Sequence, residues 1–170
     1  MSIIIEDGTG KSDAESFISV ADASTYFTAR GVTTWDALDT GEETVNREAA
    51  LRKATDYLTA VYRDRWEGVR YTETQALDWP RAGVVRDSWQ VDTDEIPIEV
   101  QRAEAELALK SASADLLADQ TRGVTSEKVG DIEVSYDKNS PQATRYKQID
   151  AMLRPFLNSA VGCCVRMVRA

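Results

Sequence analysis

The spacing of hydrophobic residues predicts two long helices, at residues 44–66 and 96–119. In both segments apolar residues return every three or four positions, which places them on one face of an α-helix. The stripe of the first helix consists of Leu51, Ala54, Leu58, Val61 and Tyr62. The stripe of the second consists of Val100, Ala103, Leu107, Ala114 and Leu117. The many alanines of the second segment allow close packing against another helix.

Two shorter helices are predicted on either side of this pair. One begins near Ser19 or Asp22 and ends at Gly31. The other begins at Ser140, a residue type that caps helices well, and Pro155 ends or kinks it.

Two short strands are predicted in the C-terminal quarter. In the stretch EKVGDIEVSYDKN, residues 127–139, polar and apolar positions alternate from Asp131 to Tyr136. The segment 159–170 alternates in the same way through Val161, Cys163, Val165 and Met167. Because a single strand cannot satisfy its own backbone groups, the first of these strands needs a pairing partner.

The segment between the two long helices, residues 67–95, has no sustained period. A loop of this length is usually functional or held by its own side chains, and Trp66, Trp79 and Trp89 are the residues that we expect to hold it. The whole pattern predicts a mainly α protein, a small helical bundle with a long tryptophan-anchored loop and short edge strands or a protruding hairpin.

The length of 170 residues predicts one domain. Its helical core covers about 20–120 and 140–158, a strand or hairpin arm covers about 124–138, and a C-terminal tail covers 159–170.

The net charge of −9 argues against general affinity for nucleic acid, because phosphate binding depends on Lys and Arg. The charge is uneven along the chain. Residues 138–170 carry +5, so residues 1–137 carry −14. The basic C-terminal fifth is therefore suited to an acidic partner that the rest of the chain would repel.

The chain contains no histidine. This removes the commonest general base, the usual partner of a nucleophilic serine or cysteine, and the commonest zinc ligand. The sequence therefore predicts a protein that is not an enzyme and that uses no cofactor.

Three short motifs suggest chemistry but lack the residues that it needs. The stretch EDGTGKSD imitates the end of a phosphate-binding loop, yet Ile5 stands where the first glycine is required, so an ordinary turn is favoured. The acidic clusters at 42–43 and 92–95 do not match a calcium loop, which favours a solvated acidic surface. Cys163 and Cys164 are adjacent, which suits a reducing compartment, and no base or resolving partner is evident.

No apolar run is long enough to span a membrane, and the N-terminal residues lack the pattern of a signal peptide. We therefore expect no membrane association.

Aromatic and basic residues interleave in the stretch YRDRWEGVRY, residues 62–71. This pattern could stack unpaired bases while arginines hold the backbone. It is equally well explained by Trp66 and Tyr71 anchoring the long loop while the arginines cover them or pair with acids nearby in the sequence. The second interpretation is favoured.

Most of the chain, from about Val20 to the C-terminal VRMVRA, resembles the head-to-tail connector, or adaptor, proteins of tailed bacteriophages. Members of this family are often catalogued as DnaT-like single-stranded-DNA-binding proteins. The resemblance rests on the order of several pieces. These are a helix ending in Tyr57 and Tyr62, then Arg65-Trp66-x-Gly68, then Gln75-x-Leu77-x-Trp79-Pro80-Arg81-x-Gly83, then Ile96-Pro97-x-Glu99-Val100, and VGDIEVSYD.

The resemblance implies a structural protein of the virion neck, assembled in the cytoplasm of the host bacterium. Such proteins form a ring with copies of themselves, commonly a dodecamer, beneath the portal protein. The ring extends the channel for double-stranded DNA, which it does not bind specifically, and offers a docking surface to the tail or to a tail-terminator or stopper protein. The matching residues look like structural anchors: Trp66, Gly68, Trp79, Pro80, Arg81 and Gly83.

This resemblance yields two expectations about surfaces. The strand at 131–136 pairs with a neighbouring subunit or with the tail, so that its open backbone becomes the assembly interface. That strand consists of Asp131, Ile132, Glu133, Val134, Ser135 and Tyr136. The basic C-terminal fifth faces the portal, with Arg154, Arg166 and Arg169 as candidate contacts.

The alternative is a single-stranded-DNA-binding accessory protein of replication. Trp66, Tyr71, Trp79 and the surrounding arginines would then form a stacking groove. The net charge and the absence of a long basic run argue against it.

Overall fold

The computed structural model describes residues 2–39, 46–118, 126–129, 132–135 and 146–158. Within these residues the protein is mainly helical with small two-stranded sheets, which confirms the fold class expected from the sequence. Four α-helices are present in this part of the chain: α1 (Val20–Thr28), α2 (Arg47–Tyr62), α3 (Ile98–Ser111) and α4 (Lys147–Leu153). Short 3-10 turns follow α1, α2 and α4 at Asp36–Asp39, Arg63–Arg65 and Arg154–Phe156.

Side-chain caps explain where the first two helices begin. The Ser19 side chain accepts a hydrogen bond from the Asp22 N–H at the start of α1. The Asn46 side chain accepts one from the Ala49 N–H at the start of α2, over 2.7 Å. Each cap satisfies an N–H group that the helix itself leaves without a partner.

The second long helix is shorter than its sequence pattern predicts. α3 ends at Ser111, so Ala114 and Leu117 are not part of its buried stripe, and Leu117 is 49% exposed. The Lys110 carbonyl accepts hydrogen bonds from the Ser113 N–H and the Ser113 hydroxyl. Serine side chains often bond to the backbone in this way, which makes them poor residues for a helix interior.

The last helix begins at Lys147, and the predicted cap at Ser140 lies outside the described residues. Pro155 falls in the 3-10 turn after α4, as expected for a residue that cannot continue an α-helix.

The core lies where α3 packs against both α2 and α4. Small side chains on α2 and α3, among them Ala54, Ala103 and Ala108, are fully buried and let the helices approach closely. The Trp35 and Phe27 rings close one end of the core, with their centroids 5.1 Å apart.

Six short strands form three antiparallel pairs in the described part of the chain. The pairs are β1 (Val69–Arg70) with β2 (Arg81–Ala82), β3 (Val85–Arg86) with β4 (Trp89–Gln90), and β5 (Ser126–Val129) with β6 (Ile132–Ser135). The first two pairs lie in the long segment that showed no period in the sequence. Strands of two residues are too short to produce a visible alternation.

The strand that lacked a partner in the sequence pairs within its own chain. β6 is hydrogen-bonded to β5, in a register that sets Ile132 opposite Val129 and Ser135 opposite Ser126. This pairing occupies one edge of β6, and the expected pairing with a neighbouring subunit or with the tail stays a prediction for the other edge.

Candidate functional site

Two of the tryptophans expected to hold the long loop lie in the core. Trp66 and Trp79 are 2% and 0% exposed, and their rings meet edge to face with centroids 5.7 Å apart. Phe156 packs edge to face on Trp79 at the same separation. A buried ring cannot stack on a base, so only Tyr71, which is 47% exposed, is left of the predicted stacking groove.

The arginines of the same segment are exposed, and each contacts oxygen atoms of its own chain. Arg63 Nε donates to Asp78 Oδ1 over 3.0 Å, and Arg65 lies 3.8 Å from Asp150 Oδ1. Arg70 donates to two carbonyl oxygens of the loop, over 3.0 and 3.1 Å. The acidic partners are therefore distant in sequence, not the nearby acids that the sequence suggested. Paired arginines offer little to a phosphate backbone.

The remaining anchor residues hold the turn that joins β1 to β2. Arg81 is 6% exposed and donates to three carbonyl oxygens, those of Glu67, Asp78 and Gly68, over 2.8 to 3.0 Å. Burial lowers the pKa of the Arg81 guanidinium from its ordinary value. Arg81 thereby supplies hydrogen-bond partners to three carbonyl oxygens that would otherwise be left without them.

The two glycines of the anchor set differ in their surroundings. Gly68 has a φ of 72°, and a Cβ added there would collide with the Ala82 carbonyl. Gly83 has a φ of 78° and has open space around it. The Trp79–Pro80 peptide bond between them is cis.

The third tryptophan of the loop was wrongly predicted to be a clamp. Trp89 lies on the β3–β4 hairpin and is 80% exposed. Asp87 and Ser88 form the two-residue turn, and both have positive φ angles of 49° and 71°. Such turns match the twist of a hairpin, so the Asp-Ser pair between valine-rich ends is the sequence signal that could have located it.

The segment that carries Trp89 is acidic. Residues 85–99 hold five acidic residues and one base. That base, Arg86, forms an ion pair with Glu99 Oε1 over 2.6 Å and lies over the Phe156 ring, which fixes it against α3 and the last 3-10 turn. We call the hairpin Val85–Gln90 together with the exposed acids Asp92, Asp94 and Glu95 the Trp89 surface.

The glycine-rich N-terminal stretch does form a cradle of backbone N–H groups, and the chain fills it with its own carboxylate. Glu6 is 2% exposed and accepts hydrogen bonds from the N–H groups of Gly8, Gly10 and Lys11, over 2.8 to 3.0 Å. An anion-binding nest that holds an internal carboxylate has no room for a phosphate.

The surface residues expected from the resemblance are only partly within the described structure. Ile132 to Ser135 form β6, and the flanking Asp131 and Tyr136 lie outside the described residues. Arg154 is exposed in the turn after α4, and Arg166 and Arg169 lie outside the described residues.

Among the described residues, no cluster of three or more His, Cys, Asp or Glu side chains could hold a metal ion. In the same part of the chain, none of the helices has the length and apolar character needed to cross a bilayer.

A family model described as "Putative DnaT-like ssDNA binding protein" matches residues 1–170. No curated protein and no solved structure matches the chain.

Proposed function

The chain belongs to the family described as "Putative DnaT-like ssDNA binding protein", and from that premise we propose that it acts by binding, without catalysis, and that its main partner is protein. The family description names single-stranded DNA directly. The surface chemistry of this chain favours a protein partner instead.

The observation that carries this proposal is the contrast between the buried and the exposed aromatic residues. Trp66 and Trp79 are enclosed and the arginines beside them are paired, while Trp89 is open to solvent in a segment that holds five acidic residues. An acidic surface repels phosphates, and an exposed tryptophan is a typical anchor of a protein interface.

In its specific form the proposal is a head-to-tail connector of a tailed bacteriophage, a ring between portal and tail. Three features support it. The ordered motifs resemble that family, the acidic body suits a channel along which DNA slides without adhering, and the β5–β6 hairpin has an outer edge on each strand. Such edges pair readily with a strand from another subunit.

Single-stranded DNA binding is the second candidate. It is favoured by the family description and by the exposure of Trp89 and Tyr71, since solvent-exposed rings can stack on bases. The described surface would have to overcome the repulsion of the acids around Trp89.

Fluorescence anisotropy with a labelled single-stranded oligonucleotide separates the two candidates. We expect no saturable binding at physiological salt, and any weak binding at low salt should be unchanged in W89A and Y71A. Binding that survives physiological salt and is lost in W89A establishes the second candidate. These two positions are suitable because both side chains are exposed, so their replacement leaves the core intact.

The connector form is tested by electron microscopy of the protein mixed with a portal ring. Deleting residues 131–136 removes β6 and should abolish assembly on the portal while circular dichroism still shows a helical protein. Assembled rings from the deletion variant would contradict the proposed role of this hairpin.

A further inference from the structure

The Trp89 surface has the chemistry of a site for an apolar and basic peptide. Trp89 is 80% exposed, Val85 is 48% exposed, and Ile98 at the start of the neighbouring α3 is 47% exposed. Aromatic side chains contribute strongly to binding when an interface covers them. The exposed acids beside Trp89 restrict the ligand to one that also carries positive charge.

The one base of the segment 85–99 does not change this charge balance. Arg86 is the cross-strand neighbour of Trp89, but its guanidinium is bound to Glu99 and lies over Phe156. The segment 85–99 thus has a net charge of −4 with its one base already paired. A nucleic acid would be repelled here, whereas arginine side chains would be attracted and could stack on the indole.

One segment of the chain matches these requirements. Residues 159–170, SAVGCCVRMVRA, contain two arginines and no acidic residue, and most of the others are apolar. Met167 lies between the arginines, and methionine packs well against aromatic rings.

Asn158, the residue that precedes this segment, is held by two hydrogen bonds. The Asn158 N–H donates to the Arg65 carbonyl over 2.7 Å, and the Asn158 side chain donates to the Trp66 carbonyl over 2.9 Å. Twelve residues beyond this anchor can span at most about 40 Å when extended.

We propose that the Trp89 surface binds the C-terminal segment, residues 159–170, of a second copy of the chain. Arg166 and Arg169 then lie between copies instead of facing the portal, and Arg154 remains a candidate for the portal. Each copy offers one surface and one segment, so the contact is head to tail and closes into a ring when the rotation allows. This inference rests on the proposed protein-binding function and names the partner.

Acrylamide quenching of tryptophan fluorescence tests the contact, because Trp35, Trp66 and Trp79 are buried and Trp89 is the one accessible to the quencher. We expect quenching of the full chain to decrease as its concentration rises, under reducing conditions that keep Cys163 and Cys164 from cross-linking copies. In a chain truncated after Asn158, Trp89 should remain accessible to acrylamide to the same extent at every protein concentration. Added peptide of residues 159–170 should protect the truncated chain.

Charge reversal provides a second test that leaves the chain length unchanged. In sedimentation velocity, R166E/R169E should weaken self-association by roughly tenfold or more, as expected when interface anchors are lost. Combining it with D92R/D94R should restore association. R154E is the matched control, since Arg154 is an exposed arginine outside the segment, and it should associate like the unmodified chain.

Three outcomes would overturn the inference. The first is equal quenching of Trp89 in the full and truncated chains at all protein concentrations. The second is protection of Trp89 in the full chain that does not depend on protein concentration, which would show that the segment binds its own chain. The third is normal association of the charge-reversed chains. None of these outcomes affects the oligonucleotide titration or the test of assembly on the portal, so separate experiments decide the proposed function.

Discussion

Ser16 Oγ lies 2.6 Å from Glu104 Oε1, a contact that joins the N-terminal segment to α3 inside the core. Glu104 is fully buried and has no ion-pair partner in the described part of the chain. Thr55 Oγ1 on α2 lies 2.8 Å from the same oxygen, and the Phe17 N–H donates to Oε2 over 2.8 Å. A single carboxyl group therefore links the N-terminal segment, α2 and α3.

The two hydroxyl groups around Glu104 can also be satisfied without donating to it. Ser16 Oγ lies 2.7 Å from the Ile18 carbonyl, and Thr55 Oγ1 lies 3.1 Å from the Leu51 carbonyl. Each hydroxyl has one hydrogen to donate and further capacity to accept. A neutral Glu104 can donate its own hydrogen to Ser16 while Ser16 donates to the backbone. The polar groups around Glu104, which we call the cage, therefore accommodate the protonated acid.

Burial raises the pKa of Glu104 to about 7, although the hydrogen bonds from Ser16 and Thr55 act in the opposite direction. The charged groups that flank the cage on the neighbouring elements, Glu15 and Arg52, are paired with each other over 2.9 Å. Desolvation of the carboxylate is therefore the main cause of the shift.

The first prediction concerns the pH dependence of stability. Because the pKa of Glu104 is higher in the folded chain than its usual 4.5, the folded state binds this proton more tightly, and its contribution is lost as pH rises toward about 7. The loss is at most about 3 kcal/mol. In E104Q the amide can donate to both hydroxyls and accept from Phe17, so this loss should disappear. Urea unfolding at a series of pH values measures it.

The chain has no histidine, the side chain that usually titrates in this pH range, so no histidine contributes to the difference in pH dependence between E104Q and the unmodified chain. E104Q should match the unmodified chain below pH 4.5 and exceed it in free energy of unfolding above the raised pKa. An E104Q chain that loses stability with pH as steeply as the unmodified one would show that another group causes the dependence.

The position of Glu104 shows what periodicity predicts and what it misses. Glu104 follows Val100 by four residues and precedes Leu107 by three, so helical spacing alone places it on the buried stripe of α3. α2 and α3 were predictable for the same reason, because the pattern of a long amphipathic helix lies within one segment. The cage was not, because Ser16, Thr55 and Glu104 are brought together by packing and are distant in sequence.

At the candidate site, by contrast, the sequence pattern did not predict which tryptophan is exposed. Trp66, Trp79 and Trp89 belong to the same loop and have the same composition cues, yet two are buried and one is exposed. Trp89 follows the Asp87–Ser88 turn and lies on β4, both residues of which are exposed. Turn geometry of this kind is set by two residues, too few for a hydrophobic pattern to register.

The second prediction concerns Arg81. R81K should lower the free energy of unfolding by about 2–4 kcal/mol, because one ammonium group cannot reach all three carbonyls and leaves some of them buried without a partner. R70K is the matched control. Arg70 also donates to two carbonyls but is exposed, so water can replace the lost bonds and the cost should stay below about 1 kcal/mol. Equal costs in urea unfolding would contradict the role given to burial.

The third prediction separates backbone strain from collision. Gly68 and Gly83 share a positive φ, so alanine at either position costs about 1–2 kcal/mol from strain alone. G83A should show only this cost, since a Cβ there meets nothing. G68A should lose about 1–3 kcal/mol more, because its Cβ collides with the Ala82 carbonyl and lies 3.0 Å from Val84 Cγ2. Thermal unfolding of the two variants measures the difference, and indistinguishable midpoints would rule out the close approach of β1 and β2.

The fourth prediction contrasts the two buried glutamates under the same substitution. Glu6 is surrounded by the N–H groups of Gly8, Gly10 and Lys11, which can only donate, so the amide of E6Q turns an NH₂ group toward at least one of them. E6Q should therefore cost about 1–3 kcal/mol at neutral pH, where E104Q costs nothing or stabilises. Urea unfolding of both variants in one buffer tests this, and each is the control for the other. If both variants were equally destabilised, the hydroxyl cage of Glu104 would be unable to reverse its hydrogen bonds, and the neutral form of that acid would have no structural basis.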